Sequence, residues 1–242
     1  MMNMKIVKLS LLIALAGTVS LTSCKKKGCM DADASNYNES AKKDDGSCLF
    51  VPVITIVGAN PASTSVGSTY VDGGATAFVK NSGAVEVSSD LSQVNTSSAG
   101  SFTVTYTASN ANGTTTATRL VNVVLGQSTY MGNYTVENSC NAVDFPHVGS
   151  PQIIAGANSN QVMIENAFTG LGGTIIMNIN GGLVTTPQTS IPIVVLGQNI
   201  GTLDFSGTGT MNATGNQIVM TYDWVRTGLA AGNGTCTVNY NK

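Results

Sequence analysis

The chain has 242 residues, a formal charge of −2 and only 10% charged residues. From Leu49 onward four basic residues stand against eight acidic ones, so the basic footprint that phosphate binding requires is missing and nucleic acid is excluded as a partner. Low charge with abundant Gly, Ser, Thr and Asn also excludes an acidic disordered chain and a helical cytosolic enzyme, and points to an all-β protein.

The first element in chain order is a signal. Lys5 and Lys8 form a basic start, and Leu9 to Val19 supply an apolar stretch of secretory length, too short to span a bilayer. Leu21-Thr-Ser-Cys24 follows at once. This ending resembles the lipobox of bacterial lipoproteins, which implies that Cys24 carries lipid and becomes the mature N-terminus after residues 1–23 are removed. Several acyl chains then give stable anchoring, which one chain does not. Lys25, Lys26 and Lys27 lie beside the expected lipid as a solvated spacer or as a contact for anionic headgroups.

With Cys24 assigned to lipid, Cys29, Cys48, Cys140 and Cys236 remain. Three pairings are open, and locality favours Cys29–Cys48 and Cys140–Cys236, both oxidised in an envelope compartment. Residues 24–50 form a lipidated tether that is too short for a conventional core and needs a covalent staple. Within it, Gly28, Cys29, Asp31, Ala34, Asn36, Tyr37, Ala41 and the closing Asp44-Asp-Gly-Ser-Cys48 resemble a cysteine-bounded module common in envelope proteins of Bacteroidetes. Asp31, Asn36, Asp44 and Asp45 offer the hard oxygens that Ca²⁺ takes, and they equally suit Asx turns with solvated carboxylates. Calcium is the one cofactor the chain suggests.

Residues 51–125 read as about seven short strands. Val53 to Val57 is one; Phe102, Val104, Tyr106 and Ala108 alternate with polar residues in another; Asn110-Ala-Asn-Gly113 turns into a third over Thr116–Val124. The number and spacing fit an immunoglobulin-type β-sandwich. Pro52-Val-Ile-Thr-Ile-Val-Gly58, Tyr70-x-Asp72-x-Gly74, Gly100-x-Phe102-x-Val104-x-Tyr106 and Arg119-x-Val121-x-Val123 resemble bacterial Ig-like domains of surface proteins. Such domains imply a spacer. Asn110 stands where that family usually has Asp.

Residues 128–242 read as ten strands, near 132–138, 150–155, 161–166, 174–179, 182–186, 191–196, 200–206, 208–212, 216–225 and 235–240, with no amphipathic helix. In an up-and-down barrel the first and last strands are neighbours, so a Cys140–Cys236 bridge would tie the closure seam. Tyr130-x-Gly132-x-Tyr134-x-Val136, Gly207-Thr-Gly-Thr210 and Cys236-Thr-x-x-Tyr240 resemble the lipocalin-like β-barrel that ends small Bacteroidetes lipoproteins. The fold class expected for the whole chain is therefore all-β: an immunoglobulin-like β-sandwich, then an antiparallel lipocalin-like β-barrel, after a disulfide-stapled tether.

Catalysis finds little support. His147 is the only histidine, no Gly-x-Ser-x-Gly elbow occurs, and no spacing rule selects two of the five carboxylates after Ser128. Asp204 and Asp223 suit outward strand positions. Ile218, Met220, Tyr222 and Trp224 share one strand face, which suits core packing; the sharper reading puts Tyr222 and Trp224 at a barrel mouth contacting ligand. The chain therefore reads as a non-enzymatic outer-membrane or cell-surface lipoprotein, held in the membrane by its lipid, its leaflet open. Its partner would be an extracellular glycan or an outer-membrane transporter. The alternative is a structural or adhesive surface protein without a small-molecule pocket.

Overall fold

A computed structural model describes residues 25–228 and 230–242. The signal segment and Cys24 lie outside the described residues.

Seven strands follow the tether. They are β1 (Val53–Ile56), β2 (Ala62–Ser65), β3 (Ala75–Val79), β4 (Gly83–Val85), β5 (Val87–Asp90), β6 (Gly100–Asn110) and β7 (Gly113–Val124). They form two sheets, ordered β1-β3-β4 and β2-β7-β6-β5, with β2 and β7 parallel and the other pairs antiparallel. Each long strand alternates because one face is buried: Val104, Tyr106 and Ala108 of β6 and Val121 and Val123 of β7 point into the sandwich.

A polar knot crosses this core. Arg119 is 1% exposed and donates to Asp72 and to the carbonyls of Val57 and Gly74. Tyr106 and Tyr70 donate their hydroxyls to the same carboxylate at 2.8 and 3.0 Å, and the Gly74 N–H donates at 3.0 Å. Burial works to raise the Asp72 pKa, but these donors and the Arg119 charge bring it below the usual carboxylate value. Burial, then the Asp72 carboxylate, push Tyr106 up to about 12. The spaced Tyr70, Asp72, Gly74, Tyr106 and Arg119 of the sequence are thus one hydrogen-bonded unit.

The tether is docked rather than loose. Cys29 and Cys48 are bonded, and Cys29, Ala34, Phe50 and Val79 share a small core. Lys80 bridges Asp31 and Asp33 at 2.6 and 2.9 Å. Asn110 explains its departure from the family pattern. Its oxygen accepts the N–H groups of Asn112 and Gly113, and its amide donates to the Phe50 carbonyl at 2.7 Å. An aspartate could not make that last bond.

One helical turn, α1 (Gln127–Tyr130), leads into a nine-strand antiparallel sheet. Its members are β8 (Gly132–Asn133), β9 (Thr135–Asn138), β10 (Gln152–Ala155), β11 (Gln161–Phe168), β12 (Gly172–Asn180), β13 (Leu183–Val195), β14 (Gln198–Met211), β15 (Gln217–Arg226) and β16 (Gly232–Asn241). The order is β8-β10-β11-β12-β13-β14-β15-β16-β9. Since β8 and β9 are successive stretches of one extended segment, the sheet returns on itself as a nearly closed barrel. The segment pairs with β10 through Gly132↔Ile153 and with β16 through Val136↔Tyr240. Cys140 bonds to Cys236 beside this seam.

Two differences from the sequence reading stand out. The expected strands at 182–186 and 191–196 are one strand, β13, carrying an irregularity between Thr186 and Thr189; those at 200–206 and 208–212 are likewise one strand, β14. Gly207, which falls at the expected gap, and Gly209 both lie within β14. A Cβ on Gly207 would come within 2.5 Å of the Tyr222 ring, and one on Gly209 within 2.1 Å of the Val219 carbonyl. They let β15 side chains lie flat across β14.

Replacing Arg119 with Ala should destabilise the sandwich by about 3–5 kcal/mol, because Asp72 is left as a buried, unpaired charge. Urea unfolding checks this, and a change below 1 kcal/mol (roughly the value of an exposed pair) would deny the knot its structural role.

Candidate functional site

The inward side chains of the barrel strands come from strict alternation. Ile218, Met220, Tyr222 and Trp224 of β15 face in, as do Leu203 and Phe205 of β14 and Ile175, Met177 and Ile179 of β12. The loop between β9 and β10 adds to them from the end of the barrel. Phe145 is fully buried, with its ring 5.0 Å from Phe168, 5.2 Å from Tyr222 and 5.8 Å from Phe205 by centroid. Edge-on geometry dominates these pairs, the arrangement the ring quadrupole favours. The loop is held by Thr169 N donating to the Pro146 carbonyl at 2.7 Å, Val148 N to Ala167 at 2.9 Å, and the Arg226 guanidinium to the Val143 carbonyl.

His147 enters the same interior. Its Nε2 lies 2.8 Å from the Tyr240 hydroxyl, which lies 3.1 Å from the Tyr222 hydroxyl; its Nδ1 lies 2.8 Å from the Val148 carbonyl. A carbonyl only accepts, so Nδ1 carries the proton and Nε2 accepts from Tyr240, which in turn accepts from Tyr222. Burial lowers the His147 pKa, and burial pushes Tyr222 up to about 12 and Tyr240 well above its ordinary value. The histidine is therefore neutral at physiological pH, an acceptor at the end of a hydroxyl string rather than a general base facing solvent. Nothing in the sequence flagged this: Pro146-His-Val148 reads as loop, and only the fold reveals that the loop folds inward.

The residues singled out from sequence fall in several places. Tyr222 is fully buried and Trp224 is 9% exposed, its ring over Gly232 and Gly234; both belong to the packed interior. Glu165 and Asp223 point outward and Asp204 is half-buried, the latter two accepting hydrogen bonds from Thr235 and Thr202. The four candidate calcium ligands do not converge. Asp31 accepts from Lys80 and from the Asp33 N–H. Asn36 bridges Ser47 and Leu49, Asp44 accepts the Gly46 N–H, and Asp45 accepts from Ser47. The bonds between Asp31 and Asp33, Asp44 and Gly46, and Asp45 and Ser47 cap turns, while Asn36 ties the two ends of the module together. Among the described residues no group of three or more His, Cys, Asp and Glu is placed to hold a metal ion.

With this geometry in hand, the similarities to known proteins can be placed. A family described as "Bacterial surface protein, Ig-like domain" matches residues 54–123. The match falls on the sandwich, whose fold is Ig-like. A crystal structure of the lipoprotein BT2262 from Bacteroides thetaiotaomicron is similar at 15% identity with a TM-score of 0.27, covering 79% of this chain and 100% of that one. That score is too low to establish a common fold. No curated protein matches. No helix among the described residues is long and apolar enough to cross a membrane.

The His147 string predicts an acid-sensitive barrel. The unfolded chain binds a proton near pH 6.5 while the buried ring resists it, so stability is full above about 6.5 and falls below it, by up to about 1.4 kcal/mol per pH unit until the lowered native pKa is reached. Urea midpoints of wild type and His147→Gln between pH 7.5 and 5 should diverge, with the wild type losing more; parallel curves would show that His147 is already protonated or exposed.

Proposed function

We propose that this chain is a non-enzymatic, lipid-anchored surface protein of a bacterial envelope. In this reading Cys24 carries the lipid, the stapled tether and Ig-like sandwich form a stalk, and the barrel acts through its outer surface. One observation carries the last point. Phe145, Phe168, Phe205, Tyr222 and Tyr240 occupy the barrel interior with essentially no exposure, where a small-molecule receptor would keep a chamber of about 300–1,000 Å³. The packing therefore favours the structural or adhesive reading over capture of a glycan inside the barrel. An outer-membrane transporter as partner remains compatible with it, since docking would use the exterior.

The surface-domain match at 54–123 supports an envelope location. The low charge and the two disulfides agree with an oxidising compartment. The outward, turn-capping or hydrogen-bonded state of the carboxylates and the buried, neutral His147 support a non-catalytic role, because no nucleophile stands beside a free base.

Fractionation of cells carrying the full chain, with mass spectrometry of its N-terminus, tests the anchor. Wild type should sediment with membranes, begin at Cys24 and carry acyl mass, while Cys24→Ser should appear in the soluble fraction. Titration of Trp224 fluorescence with an oligosaccharide and hydrophobe panel tests the filled interior and should be flat. An unacylated soluble wild type would overturn the anchor, and saturable quenching would overturn the closed interior.

A further inference from the structure

The barrel ladder has a break. β12 and β13 pair only at Asn178↔Thr185, Ile179↔Val184 and Asn180↔Leu183. Beyond that point β12 stays bonded to β11 over Gly172–Met177, and β13 to β14 over Thr189–Val195, but the two do not pair with each other. Two free strand edges therefore face one another on the outer wall. Pro192 on β13 fits this position, since proline within sheets is confined to edges and bulges.

A cleft of about 540 Å³ lies over the split. Its floor is Ile191, which is 5% exposed and reaches across to Gly173: a Cβ there would sit 2.3 Å from Ile191 Cδ1. Leu171 and Ile176 form one wall, and Pro192 and Val194 the other. Thr174, Thr189 and Ser190 supply the hydroxyls of the two edges, and the cleft lining contains no ionisable side chain and no aromatic ring. At its open end the β13–β14 turn exposes Val194, Val195 and Leu196, the last at 97%. Three consecutive exposed apolar residues are rare on a soluble surface unless they are used.

We propose that this split is a binding site for an uncharged aliphatic chain with a small neutral polar head. Four features set the class. A gap that one isoleucine side chain bridges is narrower than the roughly 10 Å an inserted β-strand requires, given strand spacings of about 4.8 Å on either side. Without an aromatic face there is no stacking platform for a sugar ring. Without a charged partner, a carboxylate or ammonium would be desolvated for nothing. The aliphatic walls take a methylene chain, while the hydroxyls and free backbone edge groups hold an alcohol or ester. The apolar turn extends the path outward, open to the chain of a dissolved amphiphile and to that of a lipid in a bilayer alike. The site opens on the outer wall of the barrel, sharing its floor Ile191 with the packed interior, and is independent of the anchor at Cys24.

The test uses the full chain carrying Cys24→Ser, so that no detergent competes. Its probes are 1-decanol and dimyristoylphosphatidylcholine vesicles carrying dimyristoylglycerol, whose neutral hydroxyl head fits the site, with vesicles lacking it as the control, followed by methyl NMR. Decanol should shift the methyls of Ile176, Ile191 and Val194 saturably and leave Ile175 and Ile218 unmoved. Ser190→Asp and Ile176→Gln, both outward substitutions, should weaken decanol binding tenfold or more with unchanged urea midpoints. Vesicle binding that is lost in Leu196→Gln identifies a membrane lipid as the source; decanol binding with no vesicle binding identifies a soluble amphiphile. No methyl shifts up to the solubility of decanol, shifts confined to the interior, or undiminished affinity in both variants would overturn the proposal.

Discussion

The barrel depends on one short stretch of chain, Gly132–Asn138, forming hydrogen bonds on both of its sides. Its first residues bond toward β10, with Tyr134 N on the Pro151 carbonyl and Val136 N on the Gly149 carbonyl, and its later residues pair with β16. Such closure pairs the edges at the seam, which otherwise invite pairing with other chains. It is also costly in entropy, because the two partners lie far apart in sequence. The Cys140–Cys236 bond, spanning 96 residues, offsets that cost by restricting the unfolded chain, on the chain-entropy model by about 4–5 kcal/mol. The aromatic interior then has a fixed wall to pack against, and Tyr240, on the seam itself, carries the hydroxyl that meets His147.

The three parts are joined by specific bonds rather than strung on loose linkers. Asn110 and Asn112 hold the tether's Phe50 carbonyl, and Lys80 holds Asp31 and Asp33. At the other end, the Ala99 N–H donates to the Ala213 carbonyl at 2.8 Å, and a Cβ on Gly215 would sit 3.7 Å from the Val66 side chain of the sandwich. These bonds fix the attitude of the barrel on the sandwich, as the proposed action through an exterior surface requires.

Much of this was legible in the residues. Period-two alternation gave β6, β7 and β15 because each buries one face, and locality gave both disulfide pairs. What alternation could not show is tertiary in origin. Gly207 falls at the gap expected between two strands, yet it and Gly209 serve a close approach between strands that only the register reveals. Pro187 looks like a strand end, yet β13 runs through it beside an irregular step. The inward fold of Phe145 and His147 left no periodic trace, since a loop carries none. Tyr222 and Trp224 illustrate the converse: alternation placed them on one face, but whether that face met ligand or core depended on what filled the barrel from its end. The acidic tether residues looked like ligands because turn-capping and metal coordination draw on the same oxygens.

Native-state hydrogen exchange of the backbone tests the closed, filled barrel most directly. If Gly132–Asn138 bonds on both sides, the amides of Tyr134, Val136 and Ser139 should exchange only through global unfolding, with the same free energy as the amides of Met220 and Tyr222 on β15. Exchange of the first three at the rate of an open chain, while β15 stays protected, would mean that the seam is open and that the account of the interior is wrong.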